Sequence, residues 1–407
     1  MCIRDRYSYM EKFDDFFPDR HGNIRKKVIL KVSDYRSALI QGKFLAKKGI
    51  WVSEFRIESG LNCGGHAFAT EGSLMGPILE EFSKNKKELV ETLQTLLIKT
   101  LEDKKKVLPE KCLKIKITAQ GGVGTSEEHR VLMEMYGLDS IGWGSPFLLV
   151  PDATTVDEET LDKLVSADEE DLYLSHISPL GIPFNNLKGN TKDIEKMKKV
   201  EAGRPGSPCP KEFLALQSGP GSKNVCTASR QYQRNRIKLL QAEEQPVEQY
   251  NSKFKEIIDK ACLCMGLGEA SRQVYDPASK KQGVSICPGP NIAYFSKIMS
   301  LKEMADHIYG RINVITRKNR PQMFIKELQL YLSYLSDKID EVQGIPSKRQ
   351  QKYLNAFSTN LQDGIDYYLS FSQQLKNRYN EGFEQIAKEL KRQNSKLDAL
   401  RLRISTL

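Results

Sequence analysis

Two successive apolar segments of this chain each end in glycines, and a charged helical stretch lies between them. Residues 115–120 lead into Gly121-Gly122-Val123-Gly124, and residues 139–141 lead into Gly142-Trp143-Gly144. When strands alternate with helices, the strands pair in parallel, and the carboxyl ends of neighbouring strands lie at one edge of the sheet. Glycine lets backbone N–H groups approach an anion there, and the next helix adds its positive N-terminus. The pattern predicts a phosphate-binding site, as across the mouth of a parallel barrel.

The same alternation of strand and helix begins further upstream. Residues 28–32 form a short apolar run that precedes a helical pattern over 35–48. The next strand, over 50–57, leads into Gly64-Gly65-His66. Together with the two glycine-terminated segments, these elements predict a run of right-handed βα units over 28–153, and therefore an α/β fold.

This order of motifs resembles the second half of the FMN-dependent nitronate monooxygenase (2-nitropropane dioxygenase) family and the related enoyl reductases. In that family a Gly-Gly-His follows one strand, a Gly-Gly-Ile/Val-Gly the next, and a Gly-Thr/Ser-x-Phe the last. The resemblance covers roughly residues 28–153. It implies part of a (β/α)8 TIM barrel, namely about four C-terminal βα units. It also implies an FMN cofactor and an oxidoreductase that acts on a small-molecule substrate.

The chain departs from the family pattern in three respects. The family's first barrel half, which usually carries the flavin-ring contacts, has no counterpart, so we expect a fragment that is inactive alone. Met1–Arg6 has the character of a translated adapter leader, and Cys2 belongs to it. Asn62 and Cys63 stand where the family usually has Glu or Ser followed by Ala or Gly. Because a half barrel exposes two sheet edges, we also expect low stability without the missing part.

The resemblance assigns catalysis to His66, because the histidine of Gly-Gly-His is the family's proposed catalytic base. An imidazole at the carboxyl end of a barrel strand can take a proton from a carbon acid, or stabilise the charge on a nitronate or enolate. Gly64 and Gly65 leave space for the ring. The structural alternative is a loop histidine that is hydrogen-bonded to backbone.

The expected cofactor contacts fall into two groups. Backbone groups of the glycine clusters, with Ser145, are expected at the FMN phosphate, and the alternative is a pair of tight βα turns. Lys31 could stabilise negative charge on the reduced flavin, or be a solvated lysine at a strand end, and Gln120 is expected near the flavin or substrate. The predicted cofactor-binding set is Lys31, Gly64, Gly65, Gln120, Gly121, Gly122, Gly124, Gly142, Gly144 and Ser145.

Five cysteines follow the predicted half barrel, several of them beside glycine and proline: Cys209, Cys226, Cys262, Cys264 and Cys287. Turns of this composition can aim backbone N–H groups at sulfur, which suits metal ligation. Four thiolates from this set could hold a [4Fe–4S] cluster or a structural zinc ion. The spacings contain no Cys-x-x-Cys pair, and scattered buried thiols are the alternative.

Bulk properties exclude several functional classes. The net charge of +10 comes from Lys and Arg interleaved with Asp and Glu, and without an aromatic-basic motif we expect no nucleic-acid partner. Apolar runs are too short to span a bilayer, so we expect no membrane partner. Eight cysteines without a secretory signal favour a reducing, cytoplasmic location.

The sequence divides into four segments: a remnant over 1–27, the half barrel over 28–153, a loop-rich extension with the cysteine cluster over 154–290, and a helical region over 291–407. The last region could form a helical hairpin or short bundle, or a surface for a protein partner or self-association. Two other functions stay open. One is a glutamate synthase-like flavin and iron–sulfur electron-transfer protein, and the other is a non-enzymatic phosphate-binding scaffold with a helical interaction module.

Overall fold

The structure, a computed structural model, describes residues 9–218, 224–342, 344–376 and 383–407. Met1–Arg6, with Cys2, lies outside the described residues. The chain forms two compact units. The sheet unit comprises the described residues up to Asn62 together with Ala69–Trp143 and Pro321–Leu407, and the extension unit comprises Cys63–Phe68 and Gly144–Arg320. The four segments inferred from the sequence stay a prediction.

Four parallel strands form the centre of the sheet unit, in the spatial order β1-β2-β3-β4. Buried and exposed residues alternate along β1, an edge strand, whereas Ile117, Thr118 and Ala119 of the inner strand β3 are all buried. The register pairs the last residues of neighbouring strands, so all four carboxyl ends lie at one edge. The predicted α/β class with a parallel sheet is confirmed. The strands are β1 (Val28–Val32), β2 (Val52–Glu58), β3 (Lys116–Gln120) and β4 (Ser140–Gly142).

Three helices connect these strands: α1 (Tyr35–Ala46), α2 (Met75–Asp103) and α3 (Ser126–Tyr136). Asp34 caps α1, because its carboxylate accepts a hydrogen bond from the Ser37 N–H at 2.6 Å. Along α2, leucines at four-residue spacing are buried, as expected of a helix with one apolar face: Leu89, Leu93, Leu97 and Leu101. The helix predicted over 35–48 is confirmed: it corresponds to α1, which ends two residues earlier, at Ala46.

The extension unit contains more regular structure than its turn-rich sequence suggests. Strands β5 (Leu172–Ser175) and β6 (Phe184–Leu187) pair antiparallel, as do the short β7 (Gln217–Ser218) and β8 (Asn224–Val225). An apolar cluster that includes Leu149, Leu164 and Phe295 forms a core. The helices are α4 (Glu158–Ser166), α5 (Thr191–Glu201), α6 (Arg230–Ala242), α7 (Val247–Asp259), α8 (Leu263–Tyr275) and α9 (Leu301–Ile308).

A helical C-terminal region is present, as predicted, and its part from Pro321 onward belongs to the sheet unit, whereas residues 291–320 belong to the extension unit. The part in the sheet unit consists of α10 (Met323–Asp340), α11 (Lys348–Lys376) and α12 (Phe383–Ser405). Buried residues recur every three or four positions on α11, at Leu354, Phe357, Leu361 and Ile365. In the part of the chain that the structure describes, no helix is both long and apolar enough to cross a bilayer.

A buried carboxyl group ties this helical region to the end of strand β2. Ser59 Oγ donates a hydrogen bond to Glu327 Oε1 at 2.5 Å, and the Met75 N–H and Tyr368 hydroxyl both donate to Glu327 Oε2. Burial raises the pKa of Glu327 to about 7, although these three donors oppose the shift. The network fixes the strand end relative to the starts of α2 and α10.

Candidate functional site

The carboxyl edge of the sheet carries two of the predicted cofactor contacts, Lys31 and Gln120. Lys31 Nζ forms a 2.5 Å ion pair with Glu58 Oε2, and Gln120 Nε2 donates to Glu58 Oε1 at 2.8 Å. Glu58 was not predicted as a site residue, although its position at the end of β2 places it at the same sheet edge as Lys31 and Gln120. Because Lys31 already pairs with this carboxylate, its charge is partly compensated at the sheet edge.

Strands β3 and β4 end side by side, as predicted. Gln120 is the register partner of Gly142, so the two glycine clusters start from neighbouring positions. Gly121 and Gly122 have φ values of 132° and 76°, a conformation that L side chains rarely adopt. The chain therefore turns directly after β3, at the edge where parallel α/β sheets bind ligands.

Asn62 was not predicted as a site residue, but it lies against Gly122. Its side chain is 2% exposed, and a Cβ atom at Gly122 would overlap the carboxamide. Asn62 Nδ2 donates to the Met323 carbonyl at 3.2 Å, whereas Asn62 Oδ1 has no hydrogen-bond partner among the described residues. A buried acceptor without a donor is costly, so this oxygen is one place in the sheet unit where a further hydrogen-bond donor would be stabilising.

The N-terminus of α3 holds a carboxylate of the protein itself. Thr125 and Glu128 form a capping box, and Glu128 Oε2 accepts hydrogen bonds from the N–H groups of Gly124 at 2.9 Å and Thr125 at 3.2 Å. Glu128 Oε1 accepts another from the Met323 N–H at 2.8 Å. A phosphate that used the Gly124 N–H would have to displace Glu128. The N–H groups of Gly124 and Thr125 are therefore already hydrogen-bonded within the protein.

Trp143, between the two glycines that follow β4, has a polar partner on α3. Its indole Nε1–H donates to His129 Nδ1 at 3.0 Å, which requires an unprotonated Nδ1. Partial burial lowers the pKa of His129, consistent with a neutral ring. The contact orients Trp143 beside the glycine clusters, and neither partner had a sequence signal for it.

His66 lies in the part of the extension unit formed by residues 63–68. His66 Nε2 and Ser178 Oγ share a hydrogen bond of 2.7 Å, and the imidazole packs edge-to-face on Phe184 with ring centroids 4.9 Å apart. Ser178 is fully buried. The ring is thus held by a fixed hydroxyl and a fixed aromatic face. Sequence reasoning missed both, because the contacts join residues more than a hundred positions apart.

The two glycines before His66 serve the packing of this loop. Gly65 has a φ of 82°, and a Cβ atom at Gly64 would lie 2.5 Å from the Cys287 carbonyl oxygen. The Gly65 N–H donates to that same carbonyl, and Asn185 Nδ2 donates to the Cys63 carbonyl at 2.7 Å. The glycines therefore allow close approach of two backbone segments, which positions His66.

Ser145 and Gly144, the last predicted phosphate contacts, also lie in the extension unit. Ser145 Oγ accepts a 2.6 Å hydrogen bond from the Gly289 N–H. A Cβ atom at Gly144 would meet no described atom within 4 Å. The structure therefore brings Ser145 together with Gly64, Gly65 and His66 through the segment 287–289. The sheet unit holds the rest of the predicted set: Lys31, Gln120, Gly121, Gly122, Gly124 and Gly142.

The five predicted metal ligands all lie in the extension unit. Cys226 and Cys262 are buried, and Cys209, Cys264 and Cys287 are partly buried. Over the described ranges, no three His, Cys, Asp or Glu side chains are already grouped so that they could hold a metal ion. Cys287 supports the Gly64-Gly65 loop through its carbonyl, which gives it a structural role.

Comparison with known proteins yields little for this chain. No protein-family model matches it. No curated protein matches it either. Among solved structures, the chain is similar to a point variant of FabK from Thermotoga maritima, with 12% identity and a TM-score of 0.36. The match covers 81% of this chain and 66% of that chain. A structural similarity this weak supports no conclusion about the activity or the ligand of this chain.

Proposed function

We propose that this chain is an FMN-dependent oxidoreductase resembling nitronate monooxygenases or enoyl reductases, built on part of a (β/α)8 barrel. One observation carries the proposal: β3 and β4 are adjacent parallel strands whose glycine-rich ends meet at the carboxyl edge of the sheet. Parallel α/β sheets bind phosphate-bearing ligands at this edge, because backbone N–H groups and helix N-termini point there.

The residues at the sheet edge fit the phosphate end of FMN. Gly121 and Gly122 keep the turn free of side chains, and consecutive N–H groups in such turns form anion-binding concavities. The unpartnered Asn62 Oδ1 beside Gly122 would accept a hydrogen bond from a ribityl hydroxyl. Because the Gly124 and Thr125 N–H groups already donate to Glu128, the phosphate would be bound by the Gly121-Gly122 turn and not by the α3 N-terminus.

When bound, FMN would supply the exchange of a hydride or single electrons with a substrate. His66 is the proposed general base or acid, which exchanges a proton with the substrate. Its Nε2 shares a hydrogen bond with Ser178 Oγ, so the hydroxyl fixes the orientation of the ring that would exchange the proton with the substrate. Phe184 limits rotation of the imidazole. Ser178 is therefore a positioning residue for His66.

The first test is the absorption spectrum of the purified full chain. We expect a yellow protein that releases FMN, rather than FAD or riboflavin, on acid precipitation, with about one FMN per chain after incubation with excess cofactor. Chromatography of the released flavin identifies it. A folded, colourless protein that binds no added FMN would contradict the proposal.

A further inference from the structure

Three of the predicted metal-ligand cysteines lie at the beginnings of two helices in the extension unit. Cys262 is the N-cap residue of α8, and Cys264 lies in its first turn. Cys226 precedes α6, where the Ser229 N–H closes a turn by donating to the Cys226 carbonyl at 2.9 Å. A helix N-terminus stabilises a thiolate through its backbone N–H groups and dipole.

Hydrogen bonds join the chain segments that carry these cysteines. Gln233, which is 0% exposed, donates through Nε2 to the carbonyls of Thr227 and Lys260, at 3.4 Å and 3.1 Å. It therefore connects the turn after Cys226 to the segment that leads into Cys262. The buried carboxamide holds the two helix starts together.

A third segment, which carries Cys209, is hydrogen-bonded to the turn that follows Cys226. The Ser207 N–H donates to the Ala228 carbonyl at 3.0 Å, and the Arg230 N–H donates back to the Ser207 carbonyl at 3.0 Å. Cys209 and Cys226 both line a cavity of about 220 Å³, together with Ser207, Ser229 and Arg230. Cys209 and Cys226 thus share one cavity, and the Gln233 hydrogen bonds hold the segment that leads into Cys262 and Cys264 beside the turn after Cys226.

The surroundings of the sulfurs resemble those of ligated thiolates. The Ala228 backbone N–H hydrogen-bonds to Cys226, and the Leu214 backbone N–H to Cys264. Arg230, beside the cavity, has a buried Nε without a hydrogen-bond partner among the described residues. These N–H groups and the Arg230 cation would offset part of the negative charge of thiolates brought together here, beside the Glu212 carboxylate that also lines the cavity.

We propose that Cys209, Cys226, Cys262 and Cys264 form a four-thiolate metal site in the extension unit. On binding, the four thiols release their protons to solvent and the sulfurs ligate the metal. Since no such group is preassembled among the described residues, the proposal requires the sulfurs to approach one another when metal binds. A zinc ion and an iron–sulfur cluster both accept this ligand set. Cys287 is left out, because its carbonyl supports Gly65.

The test is the metal content of the full chain, purified without chelators under anaerobic conditions. We expect either about one zinc or about four irons with acid-labile sulfide per chain, and brown absorbance only in the second case. Cys226→Ser and Cys262→Ser should each lower the bound metal at least about tenfold. Cys112→Ser and Cys287→Ser are the matched controls and should retain it.

A second measurement separates ligand loss from misfolding. In metal-loaded wild-type protein, alkylation followed by mass spectrometry should find the four cysteines protected, and they should react after chelation or acid treatment. Exposed Cys112 should react throughout. The proposal is overturned if the folded wild type binds neither zinc nor iron after anaerobic reconstitution, or if the control variants lose as much metal. Flavin content, measured in the same samples, tests the oxidoreductase proposal separately.

Discussion

Gly122→Val is expected to abolish flavin retention by the full chain. Gly122 has a φ of 76°, which a β-branched residue cannot adopt without strain, and its Cβ would overlap the Asn62 carboxamide. The valine side chain would occupy the turn that is proposed to hold the FMN phosphate. It would also displace Asn62 Oδ1, the hydrogen-bond acceptor beside that turn. The measurement is the flavin-to-protein absorbance ratio after incubation with excess FMN and gel filtration.

Gly137→Val is the matched control for this prediction. Gly137 also has a left-handed backbone, with a φ of 59°, at the end of α3 in the same unit, but a Cβ there would meet no described atom within 4 Å. Valine should cost about 1–2 kcal/mol of stability and leave flavin binding intact. Normal flavin content in a folded Gly122→Val protein would refute the proposed cradle.

In the full-length protein with a complete barrel, His66→Ala should slow turnover by roughly 10²–10⁴-fold while leaving bound FMN unchanged, because general acid–base groups contribute about this much. The substitution removes the imidazole from Ser178 and Phe184 without touching the Gly121-Gly122 turn. Turnover is measured with a nitronate and with an enoyl thioester, and anaerobic flavin reduction is followed spectroscopically.

Two variants make the His66 result interpretable. His176→Ala removes an exposed histidine of the same unit and should leave turnover unchanged. Ser178→Ala should lower kcat more than it changes KM, since the hydroxyl positions the ring and does not itself bind substrate. If His66→Ala turns over at the wild-type rate, His66 has only a structural role.

The sheet was predictable because its signals are local. Apolar runs at 28–32 and 115–120 set the positions of β1 and β3, and Asp34 marked the start of α1. The ends of β3 and β4 followed from their glycines. Regular structure in the extension was harder to predict, because α5 and α6 are strongly polar. Their N-cap residues, Asn190 and Ser229, were the available sequence signals.

The site was only partly predictable, for a physical reason that differs among its residues. The role of Glu128 could have been predicted, because Thr125-x-x-Glu128 is a capping-box pattern. In a capping box the glutamate accepts backbone N–H groups at the helix start, and these are then not available to a phosphate. Asn62 and Ser178 had none. Their roles come from contacts with Met323 and His66, which only the tertiary fold brings close.

The phosphate-binding claim is tested most directly by comparing the affinities of the full chain for FMN and riboflavin, which differ only in the phosphate. Isothermal titration of both ligands at one ionic strength is the measurement. If the ends of β3 and β4 hold the phosphate, its charged hydrogen bonds should make FMN bind at least about 100-fold more tightly. Equal affinities for the two flavins, or no binding of either by the folded protein, would contradict the account.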